Sequence, residues 1–560
     1  MTKPEKRTGG RKAQPWLLLA TTAMTMATAG LLGGCASGAS DASGLSSGRS
    51  GGNDNAGAGE SPTVPKTGGN SGNATGGANG TEPPPPEVEE KRDFEAPQAG
   101  ERFVFVANTQ RDTVAAIDST NLTIRTIEVG DAPTRLATVA GKDVALVINV
   151  GTRDLSVVRA SVTDSQVTTL PVVRGVNRIS IAPGGAHAIV WYDAENDNGF
   201  TGIGSFQDVT LVRLGATDQA FPLTVGFKPV DVTFNAAGTT AFVVTEDGVS
   251  VIALASVTAP KRVPLVPLGP VGQGMARDVS ITPDGRYALS REEGQSKVTL
   301  VDLTTGVITD LDLMGSVSDL DLAPDASFAM AVVPSKNEVV RIALPMGFVD
   351  AASRKTLSFP GETLGSASLT SDSKRVLLYS TGQNIERLLI ADLDGIKPTL
   401  PVRLRKTVRS VTISPDNQSA VIVHRKAEGD PNAKDIDVET QIDRALGYSV
   451  VGLTDGFAKL QLTEAEPGAM AVTPDSSKLF VLLYNQALSL RVAQRVDLAS
   501  FLVDDFVLGS APLTVSALPI AIGRVFISQD HPSGRISFIN WTTGETGSVT
   551  GFELNGRIVQ

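Results

Sequence analysis

Histidine and cysteine, two residue types often used in acid–base chemistry and metal binding, are scarce in this sequence. It contains one cysteine and three histidines, His187, His424 and His531. A catalytic zinc site usually takes about three protein ligands, so these histidines would need help from carboxylates. Asp530 and His531 could form an acid–base pair, but the Pro532 that follows favours a turn in which the aspartate is simply hydrogen-bonded. The sequence therefore assigns no catalytic residue.

Acidic side chains are the second candidates, because they alternate in two segments. Asp193, Glu195 and Asp197 have the spacing of oxygen ligands in a Ca²⁺ loop, and a turn at Asn198-Gly199 follows. Ca²⁺ takes about six to eight oxygens, whereas no glutamate stands here at EF-hand spacing. Calcium is a candidate ligand, and a solvated acidic loop is the favoured interpretation. A similar acidic segment contains Asp430, Asp435, Asp437 and Glu439.

The charge of the chain bears on its partners. The formal net charge is −11, although the first twelve residues carry a local charge of +4. Phosphate binding along a nucleic acid needs clustered lysine and arginine, so this acidic composition argues against a nucleic-acid partner. An acidic surface favours solubility and is compatible with cations or a basic partner.

A repeat must position these side chains. The stretch Asp278–Pro334 contains short apolar strands separated by a Pro-Asp turn, a polar loop and a Thr-Thr-Gly turn. Four short strands in forty-odd residues are typical of one blade of a β-propeller. The aspartate of the first turn recurs at Asp284, Asp325, Asp372, Asp416 and Asp475.

The second strand of each unit gives the number of units. These strands read FVFVAN, VALVINV, AIVWYD, AFVVTE, YALSRE, FAMAVV, RVLLYS, AVIVHR, LFVLLY and VFISQD. We therefore predict an all-β propeller of about ten units over residues 101–560. Because propellers usually have about four to eight blades, two smaller rings or irregular units are alternatives to the single ring that we favour. The first unit lacks an innermost strand, and the C-terminal LNGRIVQ could supply it and close the ring.

Propeller topology places the loops between second and third strands on one face, together with the connections between blades. Three such loops are enlarged, at residues 192–200, 425–448 and 528–534, and the second should contain a short helix around residues 437–447. We expect recognition on this face, whereas His187 falls in a turn on the opposite face. The predicted ligand-binding residues are Tyr192, Asp193, Glu195, Asp197, His424, Asp430, Asp435, Asp437, Asp530 and His531.

The N-terminal segment has the basic start and apolar core of an export signal, and it ends in Leu32-Gly33-Gly34-Cys35. This ending resembles a bacterial lipobox, which implies cleavage before Cys35 and a lipid attached to it. An ordinary signal peptide with an incidental cysteine is the alternative. We assign residues 1–34 to the signal peptide and 35–100 to a disordered tether rich in glycine, serine and proline. The tether would span roughly 35 to 45 Å.

The first repeat unit resembles the YVTN family of bacterial surface propellers. The matching residues are Phe105-Val106-Ala107-Asn108, then Val114 to Asp118, then Ile127 to Pro133. The close resemblance covers residues 103–141, and later units keep the rhythm without the motif. It implies a bacterial cell-envelope propeller, and the absence of an acidic retention signal after Cys35 favours the outer membrane.

These features favour a monomeric, lipid-anchored propeller that binds an envelope protein, a glycan or a small molecule. By analogy with propellers of similar repeat type, a lactonase-like or quinoprotein-like enzyme is the first alternative. A structural accessory of an envelope machine is the second. No cofactor is implied by the motifs, apart from the candidate calcium.

Overall fold

The structure is a computed structural model, which describes residues 99–194, 204–270, 277–382, 385–427 and 437–552. Within these residues forty strands form ten sheets. Each sheet is one blade, and we number the blades in chain order. The predicted signal peptide, Cys35 and almost all of the tether lie outside the described residues. The same is true of four further predicted features: Glu195, Asp197, Asp430 with Asp435, and the C-terminal LNGRIVQ.

Blades 1 to 5 form the first half of the ring. Blade 1 has β1 (Phe103–Asn108), β2 (Thr113–Asp118) and β3 (Ile124–Glu128); blade 2 has β4 (Pro133–Thr138), β5 (Val144–Asn149), β6 (Asp154–Ala160) and β7 (Ser165–Pro171). Blade 3 has β8 (Arg178–Ile181), β9 (His187–Trp191), β10 (Asp208–Arg213) and β11 (Gln219–Thr224); blade 4 has β12 (Pro229–Phe234), β13 (Thr240–Thr245) and β14 (Gly248–Ala253). Next come β15 (Lys261–Arg262) and β16 (Leu265–Val266), and blade 5 has β17 (Arg277–Ile281), β18 (Tyr287–Glu292), β19 (Lys297–Asp302) and β20 (Ile308–Asp312).

Blades 6 to 10 form the second half. Blade 6 has β21 (Asp319–Leu322), β22 (Phe328–Val333), β23 (Glu338–Ala343) and β24 (Arg354–Ser358); blade 7 has β25 (Ser366–Leu369), β26 (Arg375–Tyr379), β27 (Arg387–Asp392) and β28 (Leu400–Arg403). Blade 8 has β29 (Val408–Ile413), β30 (Ser419–His424), β31 (Leu446–Gly452) and β32 (Ala458–Thr463); blade 9 has β33 (Pro467–Val472), β34 (Lys478–Asn485), β35 (Leu490–Asp497) and β36 (Val503–Val507). Blade 10 has β37 (Ala511–Ala517), β38 (Arg524–Asp530), β39 (Arg535–Asn540) and β40 (Thr546–Thr550).

Helical structure is brief among the described residues. The predicted short helix is confirmed as α1 (Val438–Arg444), in the loop between β30 and β31. Single 3₁₀ turns lie at Pro183–Gly185, Leu254–Ser256, Pro334–Lys336, Met346–Phe348 and Ala351–Ser353. The chain is therefore all-β in class, as predicted.

The central strands are apolar on both sides because each sheet packs between two others. In β34, Phe480 and Leu482 face blade 10, while Val481 and Leu483 face blade 8. Ten such apolar clusters alternate with the ten blades, and each contains residues of two successive sheets. Burial between sheets therefore supplies the main stabilisation of the fold.

One of these clusters closes the ring. Val104 and Ile117 of blade 1 pack with Phe526 and Phe538 of blade 10. The Arg524 guanidinium donates from Nη1 to the Ser119 carbonyl at 2.8 Å across the same junction. The single ring of ten blades is thus confirmed, and the alternative of two smaller rings is wrong.

Two blades depart from four antiparallel strands. Blade 1 has three strands among the described residues, as the sequence predicted. Blade 3 gains a fifth, because β15 pairs in parallel with β11 before β16 returns to pair with β14 of blade 4. Pro264 lies between β15 and β16 and has no N–H to donate, which suits a segment that changes from one sheet to the next.

The antiparallel order defines two faces of the ring. The upper face carries the loops between second and third strands and the connections between blades, and the lower face carries the remaining turns. The described chain begins on the lower face, where the Ala99 carbonyl accepts from Thr138 Oγ1 at 2.9 Å. It ends on the upper face, where the Phe552 carbonyl lies 3.5 Å from Asn108 Nδ2, at the last residue of β1.

Candidate functional site

A cavity of about 330 Å³ opens on the upper face between blades 8 and 9. Its lining residues are Arg409, His424, Arg425, Lys426, Leu446 and Glu466. The predictions named one of these, His424. The cavity therefore adds a basic wall to a face on which the sequence had indicated acidic loops.

Strand ends and one bulge position the lining. Arg409 is the extra residue where the register between β29 and β30 shifts, and a bulge of this kind re-aims a side chain. His424 is the last residue of β30, so Arg425 and Lys426 follow it onto the upper face. Glu466 directly precedes β33 and forms an ion pair with Arg409 across the boundary between blades 8 and 9.

His424 forms the buried back of the cavity. Its Nε2 lies 2.7 Å from Ser449 Oγ, and its Nδ1 lies 3.3 Å from the Thr407 carbonyl oxygen. Because a carbonyl can only accept, Nδ1 carries the proton and Nε2 accepts from the serine hydroxyl. Burial lowers the pKa of His424 to about 3, with the positive charge of Lys406 acting in the same direction. The imidazole is therefore neutral at physiological pH.

The Ser449–His424 pair has the hydrogen bond of an activated nucleophile, but its surroundings oppose that role. Ser449 is fully buried, and His424 is 3% exposed. A serine with no solvent contact cannot reach a substrate, so the pair is a packing element that fixes the end of β30 against β31.

Lys406 links this part of blade 8 to helix α1. Its ammonium donates to the Ile442 and Asp443 carbonyls at 2.7 and 2.9 Å, at the C-terminal end of α1. A cation is favourable there because the last carbonyls of a helix have no intrahelical donor. Asp437, one of the predicted binding residues, instead caps the other end and accepts from the Thr440 N–H at 2.7 Å.

The predicted residues of blade 3 lie in a different environment. Asp193 is buried, forms an ion pair with Arg178 at 3.1 Å and accepts that arginine's Nε–H. Tyr192 is buried beneath Phe206, with ring centroids 5.7 Å apart, and Phe206 stacks on Phe227 at 5.8 Å. This part of the upper face is thus an aromatic cluster that the sequence analysis did not identify.

The remaining predicted residues lie on blade 10. Asp530 ends β38 and is exposed. His531 follows it in a turn, and its Nδ1 accepts from the Ser533 N–H at 3.1 Å. Blades 3, 8 and 10 are separated around the ring, and blades 3 and 8 stand on opposite sides of it. The predicted residues that the structure describes share a face, as expected from the topology, but do not converge on one site.

A second charged cluster lies on the first two strands of blade 5 and the inner strand of blade 6. Arg291 forms an ion pair with Asp278 at 2.8 Å and donates to the Val317 carbonyl at 3.1 Å. Asp319 accepts from the Ala367 N–H at 2.7 Å, which ties blade 6 to blade 7. Burial raises the pKa of both Asp278 and Asp319, although Arg291 opposes the shift. These contacts join three consecutive blades and identify the cluster as a structural tie.

Two features are absent from the described residues. They contain no group of three or more histidine, cysteine, aspartate or glutamate side chains placed to hold a metal ion. None of their helices has the length and hydropathy needed to cross a bilayer. The calcium prediction for residues 193–197 stays untested, because Glu195 and Asp197 lie outside this part of the chain.

No protein-family model matches the sequence, and no curated protein matches it. Among solved structures it is similar to a eukaryotic initiation factor, with 12% identity over 71% of this chain and 94% of the other and a TM-score of 0.45. It is also similar to the dihydro-heme d1 dehydrogenase NirN in complex with DHE, with 12% identity over 65% and 73% of the two chains and a TM-score of 0.38. The β-propeller domain of Myceliophteria thermophila Cps50 (Swd1) matches with 13% identity over 57% and 96% and a TM-score of 0.29. At these scores the similarities carry no argument about function.

Arg409, Arg425 and Lys426 were not among the residues predicted from the sequence. The sequence did contain a signal for a basic site. Arg405-Lys406 lie just before the inner strand of this unit, and Arg425-Lys426 lie at the end of its second strand, AVIVHR. Antiparallel pairing brings such positions to the same edge of a sheet. The bulge at Arg409 could not be read from the sequence.

Proposed function

We propose that this chain is a lipid-anchored protein of the bacterial envelope whose propeller binds a partner or ligand through its upper face. The observation that carries the proposal is that the basic cavity and helix α1 both lie on that face. Rigid blades that hold variable loops on one rim are suited to recognition. The single ring supplies the rigid scaffold.

The place where the described chain joins the ring supports this arrangement. Ala99 lies on the lower face, where the Asp143 carboxylate also accepts from the Arg102 and Phe103 N–H groups. A tether that joins the ring there leaves the upper face unobstructed. The resemblance of the first unit to YVTN surface propellers and the Leu32-Gly33-Gly34-Cys35 motif are the reasons to place the protein in the envelope.

Anchoring is tested at Cys35. We expect the chain expressed in a bacterium to incorporate an alkyne-tagged fatty acid and to partition into detergent, and the Cys35→Ser variant to lose both properties. Separation of inner from outer membranes then locates the protein. If the variant were labelled and fractionated like the parent chain, Cys35 would not be the anchor.

Recognition by the upper face is tested by photocrosslinking from matched positions. Leu488 lies in the upper loop of blade 9 and Val307 in a lower turn of blade 5, and both are 58% exposed. A benzophenone amino acid at each position samples proteins and glycans alike. We expect discrete adducts in envelope preparations from position 488 and none from position 307. Equal adducts from the two positions, or none from position 488, would contradict the proposal.

A further inference from the structure

We infer that the cavity between blades 8 and 9 binds a carboxylate or phosphate group of the ligand. This inference rests on the proposed function, since it names the chemistry that one part of the upper face recognises. The cavity is lined by three basic side chains, Arg409, Arg425 and Lys426, and by a single acidic one, Glu466. The lining is therefore net positive although the whole chain has a net charge of −11.

The ion pair of Arg409 and Glu466 does not neutralise the cavity. Glu466 is 54% exposed and Arg409 is 24% exposed, so the carboxylate lies at the rim and the guanidinium lies deeper. Arg425 is half-buried and Lys426 is exposed at the mouth. An entering anion would meet both cations, and it could share the Arg409 guanidinium with Glu466 or displace Glu466 towards solvent.

The back of the cavity favours an anion as well. Both ring nitrogens of His424 are occupied by Thr407 and Ser449, and its pKa of about 3 keeps the ring uncharged. Leu446 adds an apolar wall. An uncharged, buried back wall with an apolar neighbour reduces the local dielectric constant there, and a charged cleft next to such a wall concentrates ions of opposite sign.

The size and donors of the cavity define the ligand group. A volume of about 330 Å³ lies at the small end of ligand pockets. The arginine fork matches the paired oxygens of a carboxylate or phosphate, while lysine contributes a mobile point charge. The shared chemistry is thus a compact anionic group, either on a free small molecule or on a larger partner.

The test uses the full chain in detergent with two probes, inorganic phosphate and succinate, measured by isothermal titration calorimetry. We expect at least one probe to bind, and its affinity to fall as sodium chloride is raised from about 50 to about 300 mM, because salt screens charge pairs. The Arg425→Gln/Lys426→Gln variant should bind roughly tenfold or more weakly, as expected for the loss of charge-assisted hydrogen bonds.

Two further variants control for misfolding and for overall charge. Lys261→Gln/Arg262→Gln makes the same change at two consecutive basic residues on a different blade. They are exposed on the outer edge of blade 3, and this variant should bind like the parent chain. Glu466→Gln removes the acidic group of the cavity and should tighten binding severalfold, which a damaged fold would not do.

The outcomes separate this inference from the proposed function. Absence of binding by both probes, or equal binding by the parent chain and by Arg425→Gln/Lys426→Gln, would overturn the anion site. If crosslinks from position 488 persisted in that case, recognition by the upper face would still stand. Probe binding without crosslinks would leave the anion site supported and remove the proposed partner-binding face.

Discussion

At the scale of single residues, His424 shows how burial changes the chemistry of a side chain. The sequence places it at the end of an apolar strand, beside two cations, where it could act as a base or a ligand. In the folded chain its pKa falls to about 3, chiefly because burial disfavours the charged ring. The unfolded chain exposes the same ring, with an ordinary pKa of about 6.5. Folding therefore prevents the neutral ring from taking up a second proton.

This difference predicts an acid-sensitive contribution to stability. Between pH 6.5 and 3 the unfolded chain binds one more proton at His424 than the folded chain, so stability decreases as the pH falls through this window, by up to about 1.4 kcal/mol per pH unit. We expect His424→Gln to reduce stability at pH 7, because buried hydrogen bonds are lost. It should also flatten the fall in unfolding temperature between pH 7 and pH 4.5.

The measurement is a series of thermal unfolding curves over that range. The same substitution at His531, which accepts the Ser533 N–H in an upper-face turn, controls for the loss of a histidine. An NMR titration of the His424 ring with a midpoint near pH 6.5 would refute the prediction.

At the scale of elements, the recurring turn between first and second strands explains why the repeat was readable. Thr282 Oγ1 donates to Asp284 Oδ1 at 2.5 Å, and the same serine or threonine to aspartate contact recurs at Asp372, Asp416 and Asp475. The residue after the aspartate adopts positive φ, as at Gly285 (74°) and Ala326 (60°). An alanine in this region is strained, whereas glycine is not.

Exchanging these residues should change stability in opposite directions. We expect Ala326→Gly to raise the free energy of unfolding by up to about 1 kcal/mol. Gly285→Ala should lower it by about 1 to 3 kcal/mol, because a Cβ there would lie 2.4 Å from Phe242 Cζ. Thermal unfolding of the two variants and the parent chain measures both changes, and stabilisation by Gly285→Ala would show that Gly285 does not adopt positive φ against Phe242.

The elements were more predictable than the site. Apolar second strands such as FAMAVV are readable because both faces are buried, and aspartate-bearing turns are readable because side chains cap them. Register shifts are different: the bulge at Arg409 depends on how β29 pairs with the neighbouring β30, and no residue pattern in the two strands marks that shift. The ion pair of Arg409 with Glu466 joins blade 8 to blade 9, between residues 57 positions apart in the sequence. Local patterns therefore predicted the ring and its faces but not the basic cavity.

At the scale of the whole molecule, the junction between the first and last blades distinguishes a closed ring from an open stack. Apolar packing and the Arg524–Ser119 hydrogen bond already join blades 10 and 1. The inner edge of β1 has little strand pairing in this junction. Among the described residues, the pairing on that edge is the bridge from Ala99 to Val104. An unpaired edge exposes backbone donors and acceptors.

The C-terminal sequence LNGRIVQ is predicted to fill that edge. The described chain ends at Phe552, two residues after the end of β40 and beside the last residue of β1. Inner strands elsewhere begin four or five residues after the end of the preceding outer strand, as at Pro467 and Pro133. The eight residues 553–560 can span the six residues of β1.

Truncation tests this closure. We expect a chain that ends at Phe552 to unfold several degrees lower than the full chain and to aggregate more readily, because the edge of β1 loses its partner strand. Removal of Gln560 alone is the matched control and should have little effect. Hydrogen exchange adds a local readout, since the amides of β1 that face the inner edge should lose protection in the truncated chain while those bonded to β2 keep it. Equal protection and equal unfolding temperatures in the two chains would show that blades 10 and 1 are joined by side-chain packing alone.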